Sequence, residues 1–334
     1  MNGDGLTAPG GPGCGRTVDG QWQVIAQAGE RQCGVLGAGA DAGERRLCFE
    51  GLVPMDLRAD AAGERVRIEA LLATGGAGRR PRPARLAAEL LDAQPGLDLL
   101  ALGLRGGMPI AVADLPQPDD VSAVGAWLAT ARRDVVKAVR WCLDCASTGA
   151  SQGPAGGDVP SAPEACDGRP WTGDELEVLQ GWVARLELAG FRVRRDSSGW
   201  RLATPDRFRS ELPAAFGVAL SEAAVNLRAR VSLGQAEPAS RRASVAAFLL
   251  EESARTAVRF GVVIHGAPGR ATRLVTCAHV APRAGLHAAW LDDGLARIGS
   301  AAHTAGPALD ALGNGSVARL YDVCRRSRWA TARR

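Results

Sequence analysis

A chain of 334 residues, 46% of them hydrophobic, can bury one large or two ordinary cores, and it contains no apolar run of the length that spans a bilayer. Its opening, MNGDGLTAPGGPGCGRT, lacks the basic-then-apolar layout of a secretory signal. A cytoplasmic protein with reduced thiols is therefore expected, and the irregular spacing of the eight cysteines suggests no disulfide framework. The net charge of +4 belongs to the end of the chain: residues 325–334, RRSRWATARR, hold five arginines and no acid, and without them the balance is −1.

In chain order, residues 1–19 read as a disordered N-terminus, and a first folded unit is expected over 20–146. It opens with strands near QWQVIAQAG (21–29) and lacks a leading helix. VLGAGADAG (35–43) has the letters of a dinucleotide loop, but the segment after it is broken by Gly51 and Pro54, so no long helix can receive a pyrophosphate and a hairpin turn is expected. RVRIEALL (65–72) alternates as a half-buried strand does. A Gly/Pro/Arg loop leads to the helical stretch ARLAAELL (84–91), then to strands LDLLALGL (97–104) and MPIAVADLP (108–116) around a Gly-Gly turn. Val121, Val124, Leu128, Ala131, Val135 and Val139 share one face of a closing helix. Residues 147–170 are rich in Gly, Pro, Ser and Ala and read as a flexible linker.

The second unit, 171–324, opens with a capping box made by Thr172 and Glu175 and an apolar stripe of Leu176, Leu179, Trp182, Val183 and Leu186, ended by Gly190. FRVRRDSSGWRLA (191–203) reads as a hairpin, VNLRARVSL (225–233) as a strand and SVAAFLLEES (244–253) as a helix. Strands VRFGVVIH (258–265) and TRLVTCAHVAP (272–282) come next. The closing helix carries Leu291, Leu295, Ile298, Ala302, Ala305, Leu309 and Leu312 on one face, and Pro307 is expected to kink or interrupt it. The basic segment 325–334 is set apart as a solvated tail.

The two units resemble each other. A shift of 159 residues sets 49–91 beside 208–250 without a gap, with twelve identities that include Phe49/Phe208, Pro54/Pro213, Val66/Val225 and Leu90/Leu249. The fold class expected is α+β: two tandem copies of an antiparallel five-stranded sheet packed with helices.

Motifs with chemical potential are few. Cys142 and Cys145 form a C-x-x-C, but at the end of a helix, where the dipole opposes a thiolate. A redox or metal-binding role for this pair is the first alternative reading. LVTCAHV (274–280) resembles the segment around the histidine of trypsin-like proteases, yet GNGSV (313–317) departs from the nucleophile pattern at Ser316, and His279 is expected to be a strand residue. The sole lysine, Lys137, lies in a helix, so there is no Walker loop. No catalytic residue, cofactor or metal is assigned.

The order of helix, three strands, helix, two strands, helix, carried by residues 171–203, 223–233, 244–253, 258–265 and 291–313, is similar to that of the type III secretion chaperone family and the small bacterial regulators that share its fold. The resemblance implies a non-enzymatic protein that binds an extended segment of a protein partner, such as a secreted effector, and that pairs through the central helix and the strand after it. On that basis Leu86, Leu90, Leu91, Val245, Phe248, Leu249 and Leu250 would join the two units as a monomeric pseudo-dimer, or a homodimer would form. Trp182, Leu186, Phe191, Val193 and Trp200 would line a partner-binding groove. A membrane partner is not expected. A nucleic-acid-associated role using the Arg-rich tail is the second alternative.

Overall fold

The computed structural model describes residues 35–41, 44–49, 55–59, 65–72, 83–116, 122–147, 171–197, 199–231, 242–265, 272–312 and 321. Residues 1–34, with the strands expected near 21–29, residues 148–170 of the expected linker, and the basic segment 325–334 lie outside them. Alternating apolar residues in short runs build six strands in the first half: β1 (Val35–Asp41), β2 (Glu44–Phe49), β3 (Met55–Ala59), β4 (Arg65–Leu71), β5 (Ala101–Arg105) and β6 (Met108–Pro116). Helix α1 (Pro83–Ala93) lies between β4 and β5, and α2 (Ser122–Ser147) comes after β6.

In the second half α3 (Gly173–Leu188) comes first, followed by β7 (Arg192–Asp196), β8 (Gly199–Ala203), β9 (Ala215–Leu220) and β10 (Ala224–Val231). Helix α4 (Arg242–Thr256), strands β11 (Arg259–His265) and β12 (Thr272–Pro282), and helix α5 (Ala288–Leu312) complete it.

Every strand pairing is antiparallel. The first sheet runs β1-β2-β3-β4-β6-β5 and the second β7-β8-β9-β10-β12-β11, so the same order occurs twice. Among the described residues each sheet has six strands, not the five expected from the sequence. The additional strand in the second half is β9, AFGVAL, whose residues are all apolar or small and so show no alternation to the eye. Its counterpart in the first half is the short β3, MDLRA. Helix α5 also runs unbroken through Pro307, where the sequence suggests an interruption. A proline deletes only its own hydrogen bond, and the buried stripe from Leu291 to Leu312 holds the turns on either side.

One face of each sheet follows the apolar register. In β4 Val66, Ile68 and Ala70 are buried, and in β10 Val225, Leu227, Ala229 and Val231 are. Helix α5 lies on that face of the second sheet. A Cβ at Gly294 would fall 2.6 Å from the His279 ring and 2.8 Å from Leu227, and the Cys277 thiol points at the Ile298 carbonyl. The core is continuous across both halves.

The halves meet through their equivalent parts. Helix α1 packs on α4, α4 lies on β5, and α1 with the 3-10 turn after it (Gln94–Gly96) reaches β11. Gln94 Nε2 donates to Ser253 Oγ at 3.2 Å, and Arg259 Nε donates to the Leu100 carbonyl at 2.9 Å. The first pair is separated by 159 residues, the shift of the sequence repeat, and the register of the two sheets sets Arg259 in the position of Ala101, the neighbour of Leu100. A residue that touches its own equivalent lies beside a local two-fold axis, which makes this an isologous interface within one chain.

Helix α4 is buried nearly all round: Val245, Ala246, Ala247, Leu249, Leu250, Ser253 and Ala254 are all inside. Its last turn sits on the second face of the first sheet, where Ala254 and Ala257 cluster with Ala101, Ile110 and Val112. Gly103 makes this approach possible, because a Cβ there would lie 2.7 Å from the Ala254 Cα. Backbone cannot yield as a flexible side chain does. Gly103→Val is therefore expected to destabilise the protein by at least about 1–3 kcal/mol through overpacking, with Gly103→Ala milder, as checked by chemical denaturation.

Candidate binding surfaces

The residues expected to form a partner groove are built into the second half's core. Trp182 is 1% exposed, Phe191 5% and Trp200 8%. The indole N–H of Trp182 donates to Asp292 on α5 at 2.7 Å, and Arg185 pairs with the same carboxylate. Phe191 stacks on Phe208 and meets Phe216 edge-on, while Arg195 covers the Trp200 ring. Leu186 and Val193 are half-buried against the same core. Trp182, Phe191 and Trp200 are packing residues, and the face of α3 that carries Trp182 turns toward α5 and not toward solvent.

The seven residues expected to join the halves lie on the two helices that meet. Leu86, Leu90, Leu91, Val245, Leu249 and Leu250 are buried. Phe248 is half-buried and turns its ring edge toward Tyr321.

The chemical candidates occupy structural positions. Cys142 is buried in α2, and desolvation raises its thiol pKa to about 11. Cys145 lies in the last turns of the same helix, but its side chain is outside the described residues. Cys277, a buried thiol not singled out from the sequence, is pushed up to about 12 by burial. No group of three His, Cys, Asp or Glu side chains with metal-binding proximity occurs among the described residues. Val35–Asp41 of VLGAGADAG forms β1, paired to β2 with Asp41 opposite Glu44, so Gly37 and Gly39 lie within a strand and not before a helix. Ser316 lies outside the described residues.

His279 is a strand residue facing α5, paired across the sheet with Leu227. Burial, with the Arg297 and Arg65 guanidiniums nearby, holds its pKa down to about 4. Beside it Arg65 and Asp114 of the first half interlock with Asp293 and Arg297 of α5. Arg65 reaches Asp114 at 2.9 Å and Asp293 at 3.1 Å, and Arg297 reaches Asp293 at 2.9 Å and Asp114 at 3.0 Å. Alternating charges close a ring across the seam, an arrangement hidden from sequence reasoning because the partners from the two halves lie far apart in the chain.

A second buried polar arrangement crosses the seam near the two-fold. The fully buried Asp134 carboxylate accepts from the backbone N–H groups of Asp98, Leu99 and Leu100 at 2.6–3.1 Å. The carbonyls of Leu97 and Leu100 in turn accept from Arg259 of the second half. Desolvation raises the Asp134 pKa, and desolvation lowers that of Arg259 to about 10 despite the opposing charge of Asp134.

The remaining surface of note is the second sheet's other face. Register places Arg259, Ala278, Arg228, Gly217, Arg201 and Arg194 in one row across all six strands, from β11 to β7. Arg230 stands two residues along β10 from Arg228, and Arg192 two residues along β7 from Arg194. Arg192, Arg194, Arg201, Arg228 and Arg230 are exposed. Asp196 pairs with Arg201 at 2.8 Å. No other acid is paired with these five among the described residues.

The matching row of the first sheet is Ala101, Val112, Glu69, Asp56 and Cys48. There Arg67 and Arg105 pair with Glu69, and Arg58 with Asp56. Glu69 and Arg228 are separated by the 159-residue repeat, so the charge is reversed at equivalent positions.

Comparison with known proteins returns no matching family model, curated relative or solved structure. Among the described residues no helix is long and apolar enough to cross a membrane.

The buried groups set two measurable expectations. An unfolded histidine takes up a proton near 6.5, whereas His279 in the fold does not until about 4, so the unfolded state binds more protons in between and stability falls as pH falls through that window. The contribution is on the order of 3 kcal/mol. His279→Gln should flatten the slope of unfolding free energy between those pH values, measured by denaturant titration at each pH. Arg259→Ala removes the charge that faces Asp134 and strands two buried carbonyls, and the same measurement at neutral pH should register a loss of about 3–5 kcal/mol.

Proposed function

We propose that this chain is a non-enzymatic protein-binding module, similar to the type III secretion chaperones, in which one polypeptide supplies both members of the pair and holds an extended segment of another protein. The observation that carries this reading is the meeting of the repeat-equivalent residues Gln94 and Ser253, with Arg259 on the carbonyl of Leu100 next to its register counterpart Ala101, beside the packed helices α1 and α4. Pairing through the central helix and the strand after it is what the resemblance implies for a homodimer, and here the second copy is covalently attached.

The fate of the reactive side chains supports the same reading. Both described thiols are buried with raised pKa values, and the buried histidine is held neutral beneath a helix. A thiol nucleophile needs the opposite shift and access to solvent. Within this reading the chain works in the cytoplasm, and its partner is a protein that has not folded, such as an effector awaiting secretion.

A module of this kind is expected to be a monomer of 34.7 kDa by light scattering at micromolar concentration, because its two-fold partner is already present. It should also retain labelled unfolded polypeptide in fluorescence anisotropy while leaving the folded form of the same polypeptide free. Absence of binding to any unfolded chain would exclude the reading.

A further inference from the structure

We propose that the arginine-walled groove along β9, on the second sheet's open face, is the seat of an acidic, extended segment of the partner. This inference rests on the protein-binding reading above and gives the partner its chemistry.

The geometry starts from the strand register. On this face β9 presents Ala215, Gly217 and Ala219, a floor with almost no side chain. One wall is β10, with Arg228 and Arg230. The other is β8, with Arg201, and Arg192 and Arg194 stand one strand beyond it. Neighbouring strands lie about 4.8 Å apart, so the walls over β10 and β8 are separated by about 9.6 Å. Arg228 and Arg230 are two residues apart along one strand, about 7 Å, which is also the distance between same-side residues of an extended polypeptide. A segment with acids at alternate positions would meet them in step, and the bare floor lets its main chain come close.

Charge selects the occupant. Arg192, Arg194, Arg228 and Arg230 have no ion pair among the described residues, and desolvation lowers the pKa of Arg228, which also lies near Arg259. The equivalent face of the first sheet neutralises itself through Glu69, Asp56 and Asp114. The second face has four like charges whose mutual repulsion an incoming row of carboxylates would relieve. Nucleic acid fits less well. Among the described residues the groove contains no aromatic side chain on which a base could stack.

The test uses the full chain and three short peptides that share apolar residues and carry Glu, Gln or Arg at alternate positions, followed by fluorescence anisotropy at low salt. The Glu peptide should bind about tenfold or more tighter than the Gln peptide, and its affinity should fall steeply as salt is added. The double variant Arg228→Glu/Arg230→Glu should weaken it by a further factor of about ten or more. Arg192→Glu/Arg194→Glu, on the far side of the groove, is the independent second variant. Both pairs are exposed, and circular dichroism checks their fold. Deletion of 325–334 should leave the affinity unchanged.

Equal binding of the Glu and Gln peptides, or unaltered binding by both double variants, would overturn the acidic groove and leave the protein-binding reading standing. Failure of all three peptides would remove both. A single-stranded or duplex oligonucleotide that displaces the Glu peptide from the intact chain, and loses affinity in Arg228→Glu/Arg230→Glu, would assign the face to nucleic acid and overturn the proposal.

Discussion

Helix α4 has only a narrow solvent face, made by Glu251, Glu252 and Arg255 with the half-buried Phe248 beside them. A surface helix shows one apolar stripe, whereas α4 buries Val245 through Ala247, Leu249, Leu250, Ser253 and Ala254 around most of its circumference. Its own sheet can cover only one side of such a helix. The remaining sides are covered by α1 and by the second face of the first sheet, and α5 reaches the same sheet through the Arg65–Asp114–Asp293–Arg297 ring. The second half's central helix is thus interior only when the first half is present, which is why the main buried cluster runs through both halves and a smaller one joins the end of α4 to the first sheet.

That dependence explains the polar groups at the seam. Gln94 completes the backbone pairing of Leu102, accepting from its N–H and donating to its carbonyl, while its amide also reaches Ser253. Asp134 collects the N–H groups that precede β5, and Arg259 collects the carbonyls of the same segment. A backbone stretch buried between two halves must find partners for both of its polar rows. Here one half supplies the acceptor and the other the donor. Such an arrangement specifies a unique docking geometry, since a slip of one residue would leave several buried groups unpaired.

Much of this is legible in the sequence because it repeats a local pattern. The capping box at Thr172 and Glu175, the hairpin around Asp196 and Gly199, and the stripe on α5 all stem from short-range spacing. The 159-residue offset also points to the units whose equivalents meet. The features that escape sequence reasoning have no local signal. β9 hides because Ala215, Gly217 and Ala219 are small on the very face where a solvated strand would place polar residues. Trp182, Phe191 and Trp200 suit a groove and a core equally well as large apolar side chains, and only the packing of α3 on α5 decides for the core. The arginine row is invisible for the opposite reason. Its arginines come from four strands between Arg192 and Arg259, and only cross-strand register lines them up.

Covalent doubling also permits something that a homodimer cannot have. Two identical subunits related by a two-fold axis present the same charges on both open faces, so any substitution appears twice. In a tandem chain the copies can part. The position that is Glu69 in the first half, held by Arg67 and Arg105, is Arg228 in the second, and Asp56 lies in the row position taken by Gly217. The first face can therefore receive α5 through balanced ion pairs and α4 through apolar contacts and the Arg67 bond to the Ala254 carbonyl, while the second keeps unpaired arginines above a floor of alanine and glycine. Structural demands account for Arg259, which holds the seam carbonyls, and for Arg201, which pairs with Asp196, but give no reason to set Arg228 and Arg194 in the same row, because like charges at that spacing oppose the compact state. An asymmetric pair of faces makes sense as a division of labour in which one joins the halves and the other meets a partner.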